Sequence, residues 1–241
     1  MKFTDVNPFT KKQQNQINKS IISTIKKGDF ILGNNVRKFE KKFSTMSNSK
    51  HAIGCATGTD ALILALKSLN LKKKHEVIIP GMSYISTGLA VALNNIKIVF
   101  ADIDQQTGLI SFESIKKKLS KNTKVVIPVN LYGQKIDVKL LRQIVGRRVF
   151  IIEDSAQSHF ASTCANCEKN DHGLCYKAEK SQKYADLSCY SFYPAKNLGA
   201  YGDGGIITTD NTNLYKKIRI LRNLGSIKKN VHKYEGLNSR L

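Results

Sequence analysis

From residue 51 onward, short apolar runs alternate with longer segments in which apolar residues recur every three or four positions. A short, wholly apolar run is typical of a parallel strand buried on both faces, and the longer spacing is typical of a helix. The pattern predicts an α/β fold with a mostly parallel sheet and helices on both faces. The predicted strands are 52–55, 76–79, 96–101, 124–129, 149–152, 187–192 and 205–208, and the predicted helices are 59–69, 86–93, 111–119, 137–145 and 213–224.

The first 50 residues follow a different pattern. Between Gln13 and Lys27 four isoleucines recur at helical spacing, and Gly28 ends this predicted helix. The residues before it are polar. We therefore expect an N-terminal arm and opening helix in residues 1–50, followed by one large domain in residues 51–241.

Residues 161–184 interrupt the alternation, because they are polar and rich in cysteine and show no periodicity. They predict an insertion or a long loop. Its candidate metal ligands, spaced C-x2-C-x4-H-x2-C, are Cys164, Cys167, His172 and Cys175. Four thiolate or imidazole groups can hold zinc tetrahedrally, but this spacing fits no standard zinc finger. Two interpretations stay open: a loop with free thiols, and a loop held together by a structural zinc that takes no part in catalysis.

The net charge of +21 raises the question of nucleic-acid binding. Only seven of the 39 basic residues are arginine, the residue that base-reading surfaces favour, and the lysines are spread along the whole chain. This distribution favours solvated lysines and a field that attracts anionic small molecules such as nucleotides. We therefore expect no nucleic-acid partner, although a charge-driven binder is kept as the weakest alternative function.

The sequence shows no segment typical of export or of membrane insertion. The N-terminus is polar, no apolar stretch approaches the ~20 residues that span a bilayer, and the five cysteines are an odd number. The sequence thus predicts a cytoplasmic protein with no membrane contact.

Candidate chemistry follows the ends of the predicted strands, where parallel sheets bind their ligands. Gly58 and Thr59 open a helix whose free N–H groups suit a phosphate, although an ordinary capped turn explains them equally well. Asp154 follows directly on an apolar strand. It is either a partner for a buried cation, such as a pyridinium nitrogen, or a helix cap. Gln157 could present its amide to the same ligand.

Lys196 stands in a segment that looks fixed in place. It follows Pro194 and precedes a glycine-rich stretch, and Ser191 nearby offers a second hydroxyl for a phosphate. Schiff-base chemistry needs a lysine that is positioned in this way. One lysine among so many is weak support on its own.

Three longer strings, in this order, carry a family resemblance. They are Gly-Thr-Asp-Ala-Leu at 58–62, Glu-Asp-Ser-Ala-Gln at 153–157, and Ser-Phe-Tyr-Pro-Ala-Lys-Asn-Leu-Gly-Ala-Tyr-Gly-Asp-Gly-Gly at 191–205. With them the chain resembles the sugar aminotransferases of the DegT/DnrJ/EryC1/StrS family over nearly its whole length. The resemblance implies the large domain of an aspartate-aminotransferase-like enzyme, fold type I among the enzymes that use pyridoxal 5'-phosphate (PLP). Family members continue past residue 241, so their small C-terminal domain is expected to be absent here.

The resemblance assigns catalytic roles by position. Lys196 would carry PLP covalently and then move a proton as general base and acid. Asp154 would keep the pyridine nitrogen protonated. Tyr84 would stack on the cofactor ring, and Gln157 would lie beside it.

Further positions would bind the phosphate and the substrate. Gly58, Thr59 and Ser191 would hold the phosphate of PLP. Asn238 would reach the phosphate bound by a neighbouring subunit, because family sites form at the interface of a homodimer. Arg240 would contact an anionic substrate across that interface.

The implied reaction moves an amino group from glutamate to a keto sugar linked to a nucleotide, for surface polysaccharide biosynthesis. The branch that acts on UDP-linked 3-keto-2-acetamido hexuronates is the most similar, and the branches that make 4-amino sugars on dTDP or GDP stay open. The alternative is a truncated, non-catalytic remnant that acts as a binding or scaffold module.

Overall fold

The computed structural model describes residues 9–161 and 183–241. The helices in this part are α1 Lys11–Lys27, α2 Asn34–Met46, α3 Gly58–Ser68, α4 Ile85–Leu93, α5 Phe112–Lys118, α6 Val138–Val145 and α7 Thr212–Leu221. The strands are β1 His51–Cys55, β2 Glu76–Pro80, β3 Lys97–Ala101, β4 Thr123–Val126, β5 Phe150–Asp154, β6 Leu187–Ser191, β7 Gly205–Thr209, β8 Ser226–Lys228 and β9 Val231–His232.

Seven strands form one sheet in the order β1-β7-β6-β5-β4-β2-β3. Only β7 runs antiparallel to its neighbours, β1 and β6, while the other pairs are parallel. The predicted α/β fold with a mostly parallel sheet is confirmed. Since β1 runs in the same direction as β6, the carboxyl ends of all strands except β7 lie along one edge of the sheet.

Helices cover both faces of this sheet. Helices α3, α4 and α7 pack on one face, with Ile152 of β5 in the shared core, and α5 and α6 pack on the other, with Ile151 in theirs. The period of two along a strand sends these neighbours to opposite faces. Burial of one such side chain stabilises the fold by roughly 1.5–3 kcal/mol, which explains why the strand residues in these two cores are apolar.

The segment before β1 contains more structure than the sequence predicted. The predicted helix α1 is present, but none of its side chains is buried in the described part of the chain. A second helix, α2, was not predicted. It buries Phe43 against Tyr190 and Phe192 on the far side of the sheet from α3. Its apolar residues Val36, Phe39, Phe43 and Met46 do recur at helical spacing, a signal that the sequence interpretation overlooked.

Two expectations concern features that the structure addresses only in part. The four candidate zinc ligands, Cys164, Cys167, His172 and Cys175, lie outside the described residues. Within residues 9–161 and 183–241, no group of three or more His, Cys, Asp or Glu side chains is arranged to hold a metal ion. None of the helices in these ranges has the length and apolar character needed to cross a membrane.

Arg222 joins three parts of the fold just after α7. Its side chain is 3% exposed, and its Nη1 donates to Glu40 of α2 and to the Gly54 carbonyl oxygen of β1, the latter at 2.6 Å. Glu40 in turn accepts from the Gly54 N–H at 2.9 Å. The buried ion pair thus fixes α2 and the end of α7 to the edge strand.

Replacing Arg222 with methionine is expected to lower the free energy of unfolding by about 3–5 kcal/mol, because the Glu40 carboxylate loses its buried partner. Urea denaturation of the apo chain measures this difference. The matched control is Arg219→Met on the exposed side of α7, where a change below ~1 kcal/mol is expected. Equal losses in the two variants would contradict a special role for the buried pair.

Candidate active site

A pocket of about 540 Å³ opens at the carboxyl edge of the sheet. Segments that follow β1, β2, β4, β5 and β6 form its walls. Seven residues singled out from the sequence line this one pocket: Gly58, Thr59, Tyr84, Asp154, Gln157, Ser191 and Lys196.

One end of the pocket is the N-terminus of α3. Thr57 caps this helix by accepting from the Asp60 N–H at 2.9 Å. Gly58 and Thr59, the first two residues of the helix, line the pocket, and N–H groups at such positions have no partner within the helix. The Thr59 hydroxyl lies 2.8 Å from the Ser86 hydroxyl. Ser191 stands so near Gly58 that a β-carbon there would lie 2.6 Å from the Ser191 Cβ. These groups form a cradle suited to a phosphate.

Asp154 lies deep in the pocket and is 7% exposed. Its Oδ2 accepts from the Thr87 hydroxyl at 2.9 Å, and its Oδ1 accepts from the Ala156 N–H at 3.2 Å. Burial raises the pKa of this carboxyl, whereas the hydrogen bonds and the charge of Lys196 act in the opposite direction. A buried acid with a raised pKa in a cleft is a candidate for a functional group.

Lys196 is held by a tight turn after β6. Its backbone N–H donates to the Tyr193 carbonyl oxygen at 2.8 Å. Gly199 passes so close to Pro194 that a β-carbon would lie 2.3 Å from the Pro194 carbonyl oxygen, and the turn therefore needs glycine. The half-buried Lys196 side chain lines the same pocket as Asp154.

Gln157 and Tyr84 line the pocket, and Tyr132 lies next to Gln157. The Gln157 Oε1 accepts from the Tyr132 N–H at 2.9 Å, which leaves the amide nitrogen for a ligand. Tyr132 has a left-handed φ of 56°. Tyr84 and Tyr132 are 72% and 73% exposed, so both rings stand open to solvent at this edge.

The sequence interpretation missed several residues at the pocket, and three of them make informative hydrogen bonds. Thr87 bonds Asp154, Ser86 bonds Thr59, and Asn130 lines the pocket wall while donating to Glu153 Oε1 at 3.1 Å. No local signal marks Thr87, because its partner Asp154 lies 67 residues away along the chain.

Asn238 and Arg240 do not line the pocket of the described chain. Asn238 is exposed, and its Oδ1 accepts from Arg240 Nη2 at 2.5 Å. Between them the buried Ser239 donates to Asp60 Oδ2 at 2.6 Å, which ties the segment to the start of α3. The roles that the resemblance implies for Asn238 and Arg240 stay predictions.

A lysine and a buried carboxylate in one pocket at the carboxyl edge, beside a helix N-terminus, are the features of the PLP enzymes of fold type I. The fold and the pocket place the chain in this class. The chain belongs to the DegT/DnrJ/EryC1/StrS aminotransferase family, whose profile matches residues 11–241.

Relatives of known sequence and structure agree with this assignment. The chain is 39% identical over 215 residues to the UDP-N-acetyl-3-dehydro-alpha-D-glucosamine 3-aminotransferase of Acidithiobacillus ferrooxidans, a match that covers 88% of this chain and 54% of that protein. It is 34% identical over 242 residues to the UDP-2-acetamido-2-deoxy-3-oxo-D-glucuronate aminotransferase of Pseudomonas aeruginosa, covering 100% and 64%.

A solved structure shows the same fold. The crystal structure of NtdA from Bacillus subtilis with bound cofactor PMP matches with a TM-score of 0.87 and 31% identity, over 100% of this chain and 53% of that chain. The chain therefore spans between 53% and 64% of the length of these relatives.

Proposed function

We propose that the protein is a PLP-dependent aminotransferase that moves the amino group of glutamate to a keto sugar linked to a nucleotide. The observation that carries the proposal is the meeting of Lys196 and Asp154 in one pocket, next to the cradle at the start of α3. Glutamate leaves as 2-oxoglutarate, and the keto sugar becomes an amino sugar. The non-catalytic alternative gains no support from the relatives.

The pocket fits this cofactor. Its volume of about 540 Å³ lies within the range of small-molecule sites, and the distribution of its polar groups matches the molecule. The phosphate fits the helix N-terminus with Thr59 and Ser191, and the ring nitrogen fits the carboxylate of Asp154. When bound, PLP supplies an electron-withdrawing ring that carries the amino group between donor and acceptor.

The side chains of the pocket would have different tasks. Lys196 holds the cofactor and moves a proton to and from the reacting carbon. Asp154, once ionised, pairs with the protonated ring nitrogen. Tyr84 covers one face of the ring, and the free amide nitrogen of Gln157 donates beside it.

For the substrate, we propose a UDP-linked 3-keto hexuronate used in surface polysaccharide biosynthesis. The support is the 34% identity to the Pseudomonas aeruginosa relative that is named for such a sugar. Arg240 would bind the sugar carboxylate through its planar guanidinium group. An assay with UDP sugars that differ only in the carboxylate at carbon 6 tests this choice.

We also propose that the protein works as a homodimer in the cytoplasm. The 72% exposure of Tyr84 leaves the pocket open in a single chain, and Asn238 lies outside it, free to reach a neighbouring site. The two described cysteines, Cys55 and Cys189, are free thiols, as is usual in a reducing compartment. Sedimentation analysis of the purified chain measures the oligomeric state.

A visible absorbance spectrum tests the activity itself. The purified chain mixed with PLP is expected to turn yellow as Lys196 takes up the cofactor, and glutamate is expected to bleach the yellow band. Uptake without a response to glutamate would contradict the amino donor. No uptake at all would overturn the proposed function.

Replacing Gly58 with alanine is expected to weaken PLP binding about tenfold, because the new β-carbon must displace Ser191 from the phosphate cradle. Fluorescence titration of the apo chain with PLP measures the effect. Gly202→Ala is the control, since a β-carbon at Gly202 meets nothing within 4 Å. Equal affinities in the two variants would argue against the cradle.

A further inference from the structure

The first turn of α4 reaches both ends of the pocket. Ser86 shares a hydrogen bond with Thr59 at the phosphate end, and Thr87 bonds Asp154 at the other. Tyr84, which precedes the helix, stands at the mouth between them. One short segment therefore connects three parts of the site, although only Tyr84 was expected to belong to it.

The Thr87 hydroxyl is committed to Asp154. Thr87 is 0% exposed. A threonine within a helix commonly donates to the carbonyl oxygen one turn back, but this hydroxyl donates to Asp154 Oδ2 at 2.9 Å. Since α4 covers one sheet face and Asp154 ends β5, the bond also fixes the helix against the strand end.

The geometry leaves one part of the Asp154 carboxylate for a ligand. An ionised carboxylate has about four lone-pair sites, two on each oxygen. Thr87 takes one on Oδ2 and the Ala156 N–H takes one on Oδ1. The carboxylate thus cannot rotate without losing a bond, and its remaining sites are available to the pocket that Asp154 lines.

Burial and the Thr87 bond have opposite effects on the charge of Asp154. Burial favours the neutral acid and raises the pKa, and the Thr87 hydroxyl is the largest of the contacts that lower it again. A neutral acid could not pair with a protonated ring nitrogen. The hydroxyl therefore favours the form of Asp154 that the proposed chemistry needs.

We infer that Thr87 is a positioning residue that favours the ionised form of Asp154 and keeps its carboxylate aimed at the pyridine nitrogen of PLP. This inference rests on the proposed function, because it concerns the cofactor of that same site. It states that the hydroxyl group of Thr87, and not the size of its side chain, contributes to the affinity for PLP.

The test compares Thr87→Val, which keeps the shape and removes the hydroxyl, with Thr87→Ser, which keeps the hydroxyl. The dissociation constant for PLP, measured by fluorescence with the apo chain, is expected to rise roughly tenfold or more for Thr87→Val, the usual effect of losing a hydrogen bond to a charged group. For Thr87→Ser it should stay within about threefold.

A PLP analogue with a C–H group in place of the pyridine nitrogen separates positioning from folding. Wild type and Thr87→Val should bind this analogue equally well, because no ring nitrogen is left for Asp154 to hold. Ser86→Ala, which breaks the bond at the phosphate end of the same turn, should weaken PLP and the analogue alike.

Three results would overturn the inference. If Thr87→Val binds PLP as tightly as wild type does, the hydroxyl has no role. If that variant loses affinity for PLP and the analogue to the same degree, Thr87 acts only through folding. If the wild-type chain takes up no PLP, the proposed function fails and the inference falls with it, an outcome that the wild-type titration identifies by itself.

Discussion

Replacing Lys196 with alanine is expected to abolish the yellow absorbance with PLP and to lower amino transfer at least about a thousandfold. The loss is large because one side chain would perform two tasks: it would hold the cofactor covalently and move the proton in each half of the reaction. Among the described residues that line the pocket, Lys196 is the only lysine. Its turn is fixed by the bond to Tyr193 and by the close approach of Gly199 to Pro194.

Lys216→Ala is the matched control for this variant. Lys216 is exposed on α7 and does not line the pocket, so its loss should leave the absorbance and the rate within about twofold of wild type. Rates with glutamate and a UDP-linked keto sugar, together with the spectra, measure both variants. If Lys196→Ala still turned yellow with PLP, another amine would carry the cofactor and the proposed role would be wrong.

The sequence predicted the strands of the main sheet well, because double burial leaves an unambiguous apolar run. The observed β2, Glu76–Pro80, differs from its predicted range by one residue. The prediction was weaker where long-range packing decides the structure. Helix α2 is stabilised by Phe43 against β6, and the β8–β9 hairpin by pairing of polar segments. The apolar residues of α2 do recur at helical spacing, at Val36, Phe39, Phe43 and Met46, but they were not recognised among the charged residues, and the short polar hairpin leaves no such signal.

In the candidate site, too, local features were predicted from the sequence and long-range contacts were not. Its seven predicted lining residues come from strand ends and from strings of family resemblance, which are local features of the chain. Thr87 was missed because its importance depends on a 2.9 Å contact between α4 and β5, which are 67 residues apart along the chain. Periodicity assigns Thr87 to a helix but does not reveal its partner.

Asp154 shows why a site residue can be unfavourable for the fold that holds it. Its environment in the apo chain is less favourable to the ionised form than water is, since burial outweighs the contacts with Thr87 and Ala156 and raises the pKa. A bound cationic ring nitrogen would lower the pKa again, because it stabilises the carboxylate. Functional sites commonly keep such groups at the expense of stability, so removing the charge should have opposite effects on stability and activity.

The variant Asp154→Asn is therefore expected to lose amino transfer by about a hundredfold to a thousandfold, because an amide does not hold the ring nitrogen protonated. Its apo form should be at least as stable as wild type at neutral pH. Steady-state rates and thermal unfolding of the apo chain measure the two effects. Asp137→Asn is the control, since asparagine caps α6 as well as aspartate does, and both properties should stay near wild type.

The raised pKa of Asp154 predicts how the stability of the fold changes with pH. The folded chain binds the Asp154 proton more tightly than the unfolded chain does, so this group lowers the free energy of unfolding as the pH rises from the ordinary Asp pKa of 3.8 to the raised value. Below pH 3.8 this destabilising effect is absent, because Asp154 is protonated in both the folded and the unfolded chain. Above the raised pKa the effect is complete and no longer changes with pH. The stability of Asp154→Asn relative to wild type should therefore increase with pH across this window. A difference that does not change with pH would show that the pKa of Asp154 is not raised in the folded chain.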